Sequence, residues 1–169
     1  MKYTLCLFTA AMFALGADQA AAPSRLAKEV RHELVMLPYF GVFDNLTYRV
    51  DGSKVTLFGQ VTRPTLKSDA EKAVKSIEGV QTVDNAIEVL PLSPSDDRIR
   101  VAVYRAVYSQ APLQRYQLNT IAPIRIIVKN GNLTLEGVVA NQGDKNIAGI
   151  AANGVAGVFK VTNNLAVEK

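Results

Sequence analysis

Between Asp97 and Gln110 the chain sets Arg98, Arg100 and Arg105 among Val101, Tyr104 and Tyr108, and Arg115 and Tyr116 follow shortly after. At about 100° per residue, a helix here would gather Ile99, Ala102, Val103, Ala106 and Val107 on one face. Val101, Tyr104 and Tyr108 fall on the opposite face, flanked by the arginines. Amphipathic rings bordered by guanidinium groups suit an anionic lipid surface, since the rings sit at headgroup depth while the cations pair with phosphate. The candidate lipid-binding set is therefore Arg98, Arg100, Val101, Tyr104, Arg105, Tyr108 and Arg115. The competing reading packs Val101, Tyr104 and Tyr108 against a neighbouring domain and leaves the arginines as solvated charges. Exposure of the Tyr104/Tyr108 face separates the two.

Other chemistry finds little support. A nucleophile needs a base within hydrogen-bond reach. The single histidine, His32, falls on the polar face of an early helical stretch, where a solvated side chain is expected. One histidine and one cysteine leave only scattered carboxylates for a metal, so no metal, cofactor or catalytic residue is assigned. Asp96-Asp97 reads as a helix start, and Asp51-Gly52 as a turn. Gly154-Val155-Ala156-Gly157 spells the G-x-x-G of a nucleic-acid clamp. It lies between a helix and a strand instead of between two helices, so neither nucleic acid nor a small-molecule substrate is expected.

The elements that must position these residues repeat. Leu26, Val30, Leu34 and Leu37 recur at helical spacing, with Ser24 as N-cap and Pro38 closing the segment. Leu46, Tyr48 and Val50 alternate, Asp51-Gly52 turns the chain, and Val55 and Leu57 alternate again up to Gly59, which describes a hairpin. Thr65 is placed to cap a helix through Ala70, Ala73, Val74 and Ile77 that stops at Gly79. Val80, Val83, Ile87 and Val89 form a last strand. The order then returns: Ile99, Val103 and Val107 match Leu26, Val30 and Leu34 at an offset of 73, and Ile124, Ile126 and Val128 match Leu46, Tyr48 and Val50 at an offset of 78. The second copy thus carries five extra residues between its first helix and first strand. From there the register holds without a gap, through Gly59 and Gly137, Gly79 and Gly157, Asn85 and Asn163, and Val89 and Val167.

These matches define an α+β chain of two tandem small αββαβ domains, each a three-stranded sheet covered by two helices. The first spans 23–90 and the second 96–169, with a linker at 91–95. Gly59 and Gly137 are expected to be structural, ending a central strand where a side chain would obstruct the backbone, and Gly79 and Gly157 to terminate helices. Gly143, Gly149 and Gly154 interrupt the last helix of the second copy, which is expected to be frayed or closely packed.

The chain begins with Met1-Lys2, an uncharged run from Tyr3 to Leu15 and an alanine-rich stretch ending at Ala22-Pro23, the pattern of a secretory signal peptide. Residues 1–16 are assigned to it, with cleavage before Ala17 preferred over cleavage after Ala22. The only cysteine, Cys6, lies inside it, so the mature fold is held by its cores without a disulfide. The expected location is periplasmic or secreted, soluble after signal cleavage. The net charge of +4 leans toward anionic partners.

The pattern apolar-Thr-Leu-x-Gly at Val55–Gly59 and Leu133–Gly137, an alanine-bearing helix, then Gly-Val-x-x-Val-x-Asn-x-aliphatic-x-Val in each copy resembles the BON domain family from about Ser24 to Val167. Gly143, Gly149 and Gly154 depart from that pattern. The resemblance implies a non-enzymatic module of periplasmic, osmotically induced bacterial envelope proteins that associates with phospholipid. Anionic phospholipid, bound weakly and peripherally by the second domain, is the expected partner. An envelope protein bound through the same tyrosines, in an interaction or oligomerisation adaptor, is the alternative.

Overall fold

The computed structural model describes residues 24–168, so the signal-peptide assignment and Cys6 lie outside the described residues. The first domain runs α1 (Arg25–Val35), β1 (Asn45–Asp51), β2 (Lys54–Val61), α2 (Pro64–Lys75), β3 (Thr82–Asn85) and β4 (Glu88–Val89). The second runs α3 (Pro94–Tyr108), a 3-10 segment (Ala111–Leu118), β5 (Ile124–Lys129), β6 (Asn132–Val139), α4 (Gln142–Asn153), β7 (Lys160–Asn163) and β8 (Ala166–Val167). In each domain the middle strand pairs antiparallel with the first strand and parallel with the last. The helix between the second and third strands makes that parallel crossover, as an αββαβ unit requires.

The third strand comes in two pieces. Both β3 and β4 pair with β2, and both β7 and β8 pair with β6. The interruption follows an asparagine. Asn85 donates from Nδ2 to the Lys67 carbonyl of α2 at 2.9 Å and accepts from the Ile87 amide at 3.2 Å; Asn163 does the same with Lys145 at 2.8 Å and Leu165 at 3.2 Å. Ile87 and Leu165 are thereby turned into the two cores, where they are fully buried. Asn85 was visible in the sequence only as a position that repeats; its side chain ties strand, break and helix together.

Gly59 and Gly137 do not end the central strands, since β2 runs on to Val61 and β6 to Val139, but the two behave alike. Gly59 has φ +114° and Gly137 φ +121°, and a Cβ at either would collide with a backbone carbonyl, of Asn45 or Pro123. Only glycine accepts both conditions. Gly79 and Gly157 do not sit at the helix ends: α2 stops at Lys75 and α4 at Asn153, and these glycines take positive φ in the turns that follow.

Three local boundaries differ from expectation. Ser24 caps α1 through its Oγ, but α2 begins at Pro64, ahead of Thr65, after an Arg63 that makes no capping bond; proline at the first helical position needs no amide partner. The helix expected over Asp97–Gln110 starts earlier, at Pro94, because the Ser93 hydroxyl accepts from the Asp96 amide. Finally, α4 is continuous despite its glycines. Gly149 lies against Asn163 so closely that a Cβ would approach Nδ2 to 2.8 Å, which is the closely packed alternative.

Each domain has its own core. Val30, Leu34, Val55, Leu57, Leu66 and Val74 lead the first; Val103, Val107, Ile126, Leu133, Leu135 and Leu165 lead the second. The exception is the connection between α1 and β1, whose Val42 and Phe43 pack against the core of the second domain.

Candidate functional site

The domain junction is built by β5. In a half-exposed strand only alternate residues are covered, yet five consecutive residues, Ile124 to Val128, are buried. Ile124, Ile126 and Val128 belong to the second core. The Ile126 amide donates to the Val42 carbonyl at 2.9 Å, so a loop of the first domain adds a backbone bond to the edge of the second sheet. Arg125 donates from Nη1 to the Gly41 carbonyl at 2.7 Å and lies 4.4 Å from the Phe40 ring centroid. Lys129 pairs with Glu88 across the same junction at the surface.

This arrangement decides the candidate set. Tyr108 and Arg100 were expected on the exposed face of α3 and are buried. Tyr108 is 1% exposed and its hydroxyl donates to the Ile124 carbonyl at 3.0 Å. Burial chiefly, with help from neighbouring Tyr104, pushes its phenol up to about 12, despite the opposing hydrogen bond. Arg100 is 4% exposed, donating to the Val128 carbonyl at 2.7 Å and pairing with Asp97, while its Nε has no partner among the described residues. The sequence placed both residues by angle alone. Their length lets them bend back along α3 to reach carbonyls of β5.

Arg115 is also engaged. It pairs with buried Asp144 and bonds the Tyr116 hydroxyl, and these bonds, Tyr116 first, raise its pKa. Tyr116 in turn donates to Asp144, and Asn141 donates to the same carboxylate. The cluster anchors the 3-10 segment to the start of α4. Arg98 and Arg105 remain exposed, as do Val101 (42%) and Tyr104 (36%); Tyr104 meets Phe43 of the first domain edge-on at 6.4 Å. The tyrosine face is thus divided, with Tyr108 inside, Tyr104 at the junction and Val101 outside.

Between the domains these residues line a half-open groove of about 560 Å³. Val35, Phe43, Val101, Tyr104 and Ile121 supply apolar wall, and Arg105 and Arg125 supply cations; among the described residues no carboxylate lines it. Desolvation lowers the Arg125 pKa, and Tyr108 and Asp44 oppose that shift. Sequence reasoning missed Arg125, Phe43 and Ile121. A signal for Arg125 existed, since a charge in the middle of Ile124–Val128 breaks an otherwise apolar strand.

Among the described residues, no group of three or more histidine, cysteine, aspartate or glutamate side chains is placed to hold a metal. His32 is exposed on α1. No helix among them is long and apolar enough to cross a membrane. Fold and site together define a tandem of small α+β modules joined through a sheet edge. The chain belongs to the BON domain family, whose pattern matches residues 24–91 and again 95–169. Membership points to an envelope-associated, non-enzymatic role. Among solved structures, the C-terminal domain of CdsD, a structural protein of the type III secretion system of Chlamydia trachomatis, is similar at 13% identity over 86% of this chain and 98% of that one, with a TM-score of 0.34. A second CdsD structure aligns over 85% and 92% with the same identity and score. No curated protein matches the chain.

Proposed function

We propose that this chain is a non-enzymatic bacterial envelope protein, periplasmic or secreted after signal cleavage, whose second BON domain docks weakly and peripherally on anionic phospholipid during envelope maintenance under osmotic stress. The observation that carries this reading is the outer side of α3 and the groove beside it, where Arg98, Val101, Tyr104 and Arg105 stay exposed and, among the described residues, no carboxylate enters the groove lining. Arg100 and Tyr108 leave the binding set because they are buried, whereas Arg115 stays exposed and commits one guanidinium nitrogen to Asp144 and Tyr116. Weak binding is expected, since each arginine near an anionic surface contributes about 1 kcal/mol and salt screens it.

Co-sedimentation with phosphatidylglycerol-containing and pure phosphatidylcholine vesicles tests the reading. Anionic vesicles should retain the protein, and Arg98→Glu with Arg105→Glu should reduce retention at least about tenfold. Equal, negligible retention on both vesicles would remove lipid docking. Tyr104 against Phe43 supports a second reading, a protein interaction or oligomerisation adaptor, because that ring already makes a protein contact. Binding of that kind should persist at high salt, whereas lipid docking should fall with it.

A further inference from the structure

Peripheral docking uses the surface of α3 and leaves the interior of the junction groove unexplained. Its volume of about 560 Å³ lies within the range of sites that enclose a small ligand, roughly 300–1,000 Å³. Its lining mixes apolar side chains with the polar Gln117, Asn119 and Thr120 and with cations. Val35 and Phe43 from the first domain and Val101, Tyr104 and Ile121 from the second are carbon-rich, while the charged side chains in it are both arginines.

Arg125 is the less ordinary of the two. It is 8% exposed, yet none of the ion pairs among the described residues includes it. A guanidinium carries five donor hydrogens, and the hydrogen bond it makes among these residues uses Nη1, to Gly41. The buried Asp44 carboxylate is spent on Thr62 and the Gly41 amide. A desolvated cation without a direct carboxylate partner favours an anion brought to it. Arg105 adds a second, exposed cation to the same lining.

We infer that the interdomain groove binds one single-chain anionic amphiphile, its acyl chain against Val35, Phe43, Val101, Tyr104 and Ile121 and its anionic group on Arg125 and Arg105. The inference builds on the anionic-lipid reading above, but concerns a monomeric ligand held between the domains and not a vesicle surface. Either a fatty acid or a lysophospholipid carries the required chemistry.

Isothermal titration of the purified protein with dodecanoate and with lysophosphatidylglycerol, each below its micelle concentration, tests it; methyl dodecanoate and inorganic phosphate are the controls. At least one of the anionic amphiphiles should bind one to one, and which of them binds more tightly identifies the source. Methyl dodecanoate should bind at least tenfold more weakly, and phosphate alone should give no saturable heat. Val101→Glu and Arg105→Gln, both at exposed positions, should each weaken binding about tenfold without changing the melting curve. Absence of saturable binding by either amphiphile, or an affinity unchanged by Val101→Glu, overturns the inference. Vesicle retention with no monomer binding leaves surface docking standing and removes the groove; monomer binding without vesicle retention does the reverse.

Discussion

Strands β1 and β5 are equivalent by sequence register and opposite in circumstance. On β1, Thr47 and Arg49 are exposed; at the matching positions of β5, Arg125 and Ile127 are buried. The inward residues of both strands serve the same purpose, and the outward ones decide which strand accepts a neighbour. A second pair of equivalent groups teaches the same lesson. The backbone amide at the entry to the second helix of each unit needs an acceptor. Thr62 finds Asp44, at 2.7 Å, whereas Ala140 finds the Tyr116 hydroxyl at 2.8 Å. Tyr116 lies in the 3-10 segment within the longer second connection, where Ala122 stands in register with Asp44. The duplicated unit keeps its bonding requirement and meets it with different residues, and the segment that meets it in the second domain also carries part of the groove wall.

The comparison is broken most severely at the feature both domains share. Gly59→Val and Gly137→Val each combine a forbidden φ with overlap on a carbonyl, so each should cost upwards of about 3 kcal/mol and melt its own domain first. Thermal denaturation followed by circular dichroism checks this, and an unchanged curve for either variant would mean that the strand relaxes freely around it.

The next effect falls on what differs. Arg125→Thr gives β5 the residue that β1 carries at Thr47 and removes the charged hydrogen bond to Gly41 and the stacking on Phe40. The loss should be about 2–4 kcal/mol of coupling between the domains. Calorimetry is expected to give one transition for the native protein and two for the variant; a single transition in the variant would place the coupling elsewhere along β5.

The smallest effect at neutral pH is at Tyr108, whose counterpart in the first repeat is Val35. Its folded pKa of about 12 stands above the ordinary 10, so the folded protein holds a proton that the unfolded chain releases. Stability from this group is complete below pH 10 and is lost as pH rises from 10 to about 12. Tyr108→Phe should cost about 1 kcal/mol at pH 7 through the lost bond to Ile124 and flatten that alkaline decline. An alkaline melting profile identical to the native one would show that Tyr108 ionises as freely folded as unfolded.

Much of this was legible in advance. The hairpins, the helix and last strand that follow each of them, and the central-strand glycines are local properties, since alternation, turn residues and helical spacing act within a dozen residues and the register at 78 displayed them twice. The candidate site was harder to read. Arg98, Val101, Tyr104 and Arg105 stayed on the face that helical geometry assigned them, but Arg100 and Tyr108 left it, because helical angle specifies where a side chain starts and not which carbonyl of β5 it can reach. Arg125, Phe43 and Ile121 meet only when the loop after α1 closes on the edge of β5, a contact between residues more than eighty positions apart.

By itself, then, the sequence determined two αββαβ units, each with its own core and a glycine in its central strand that nothing else can replace, because those requirements are satisfied among near neighbours. Only the tertiary structure decided that the units join through β5, that Arg100 and Tyr108 of the tyrosine–arginine face are drawn into the packing of the second domain itself, and that part of the remainder borders a groove with two cations. Those outcomes depend on desolvation and on long side chains finding carbonyls on other elements, and neither is encoded in spacing along one helix.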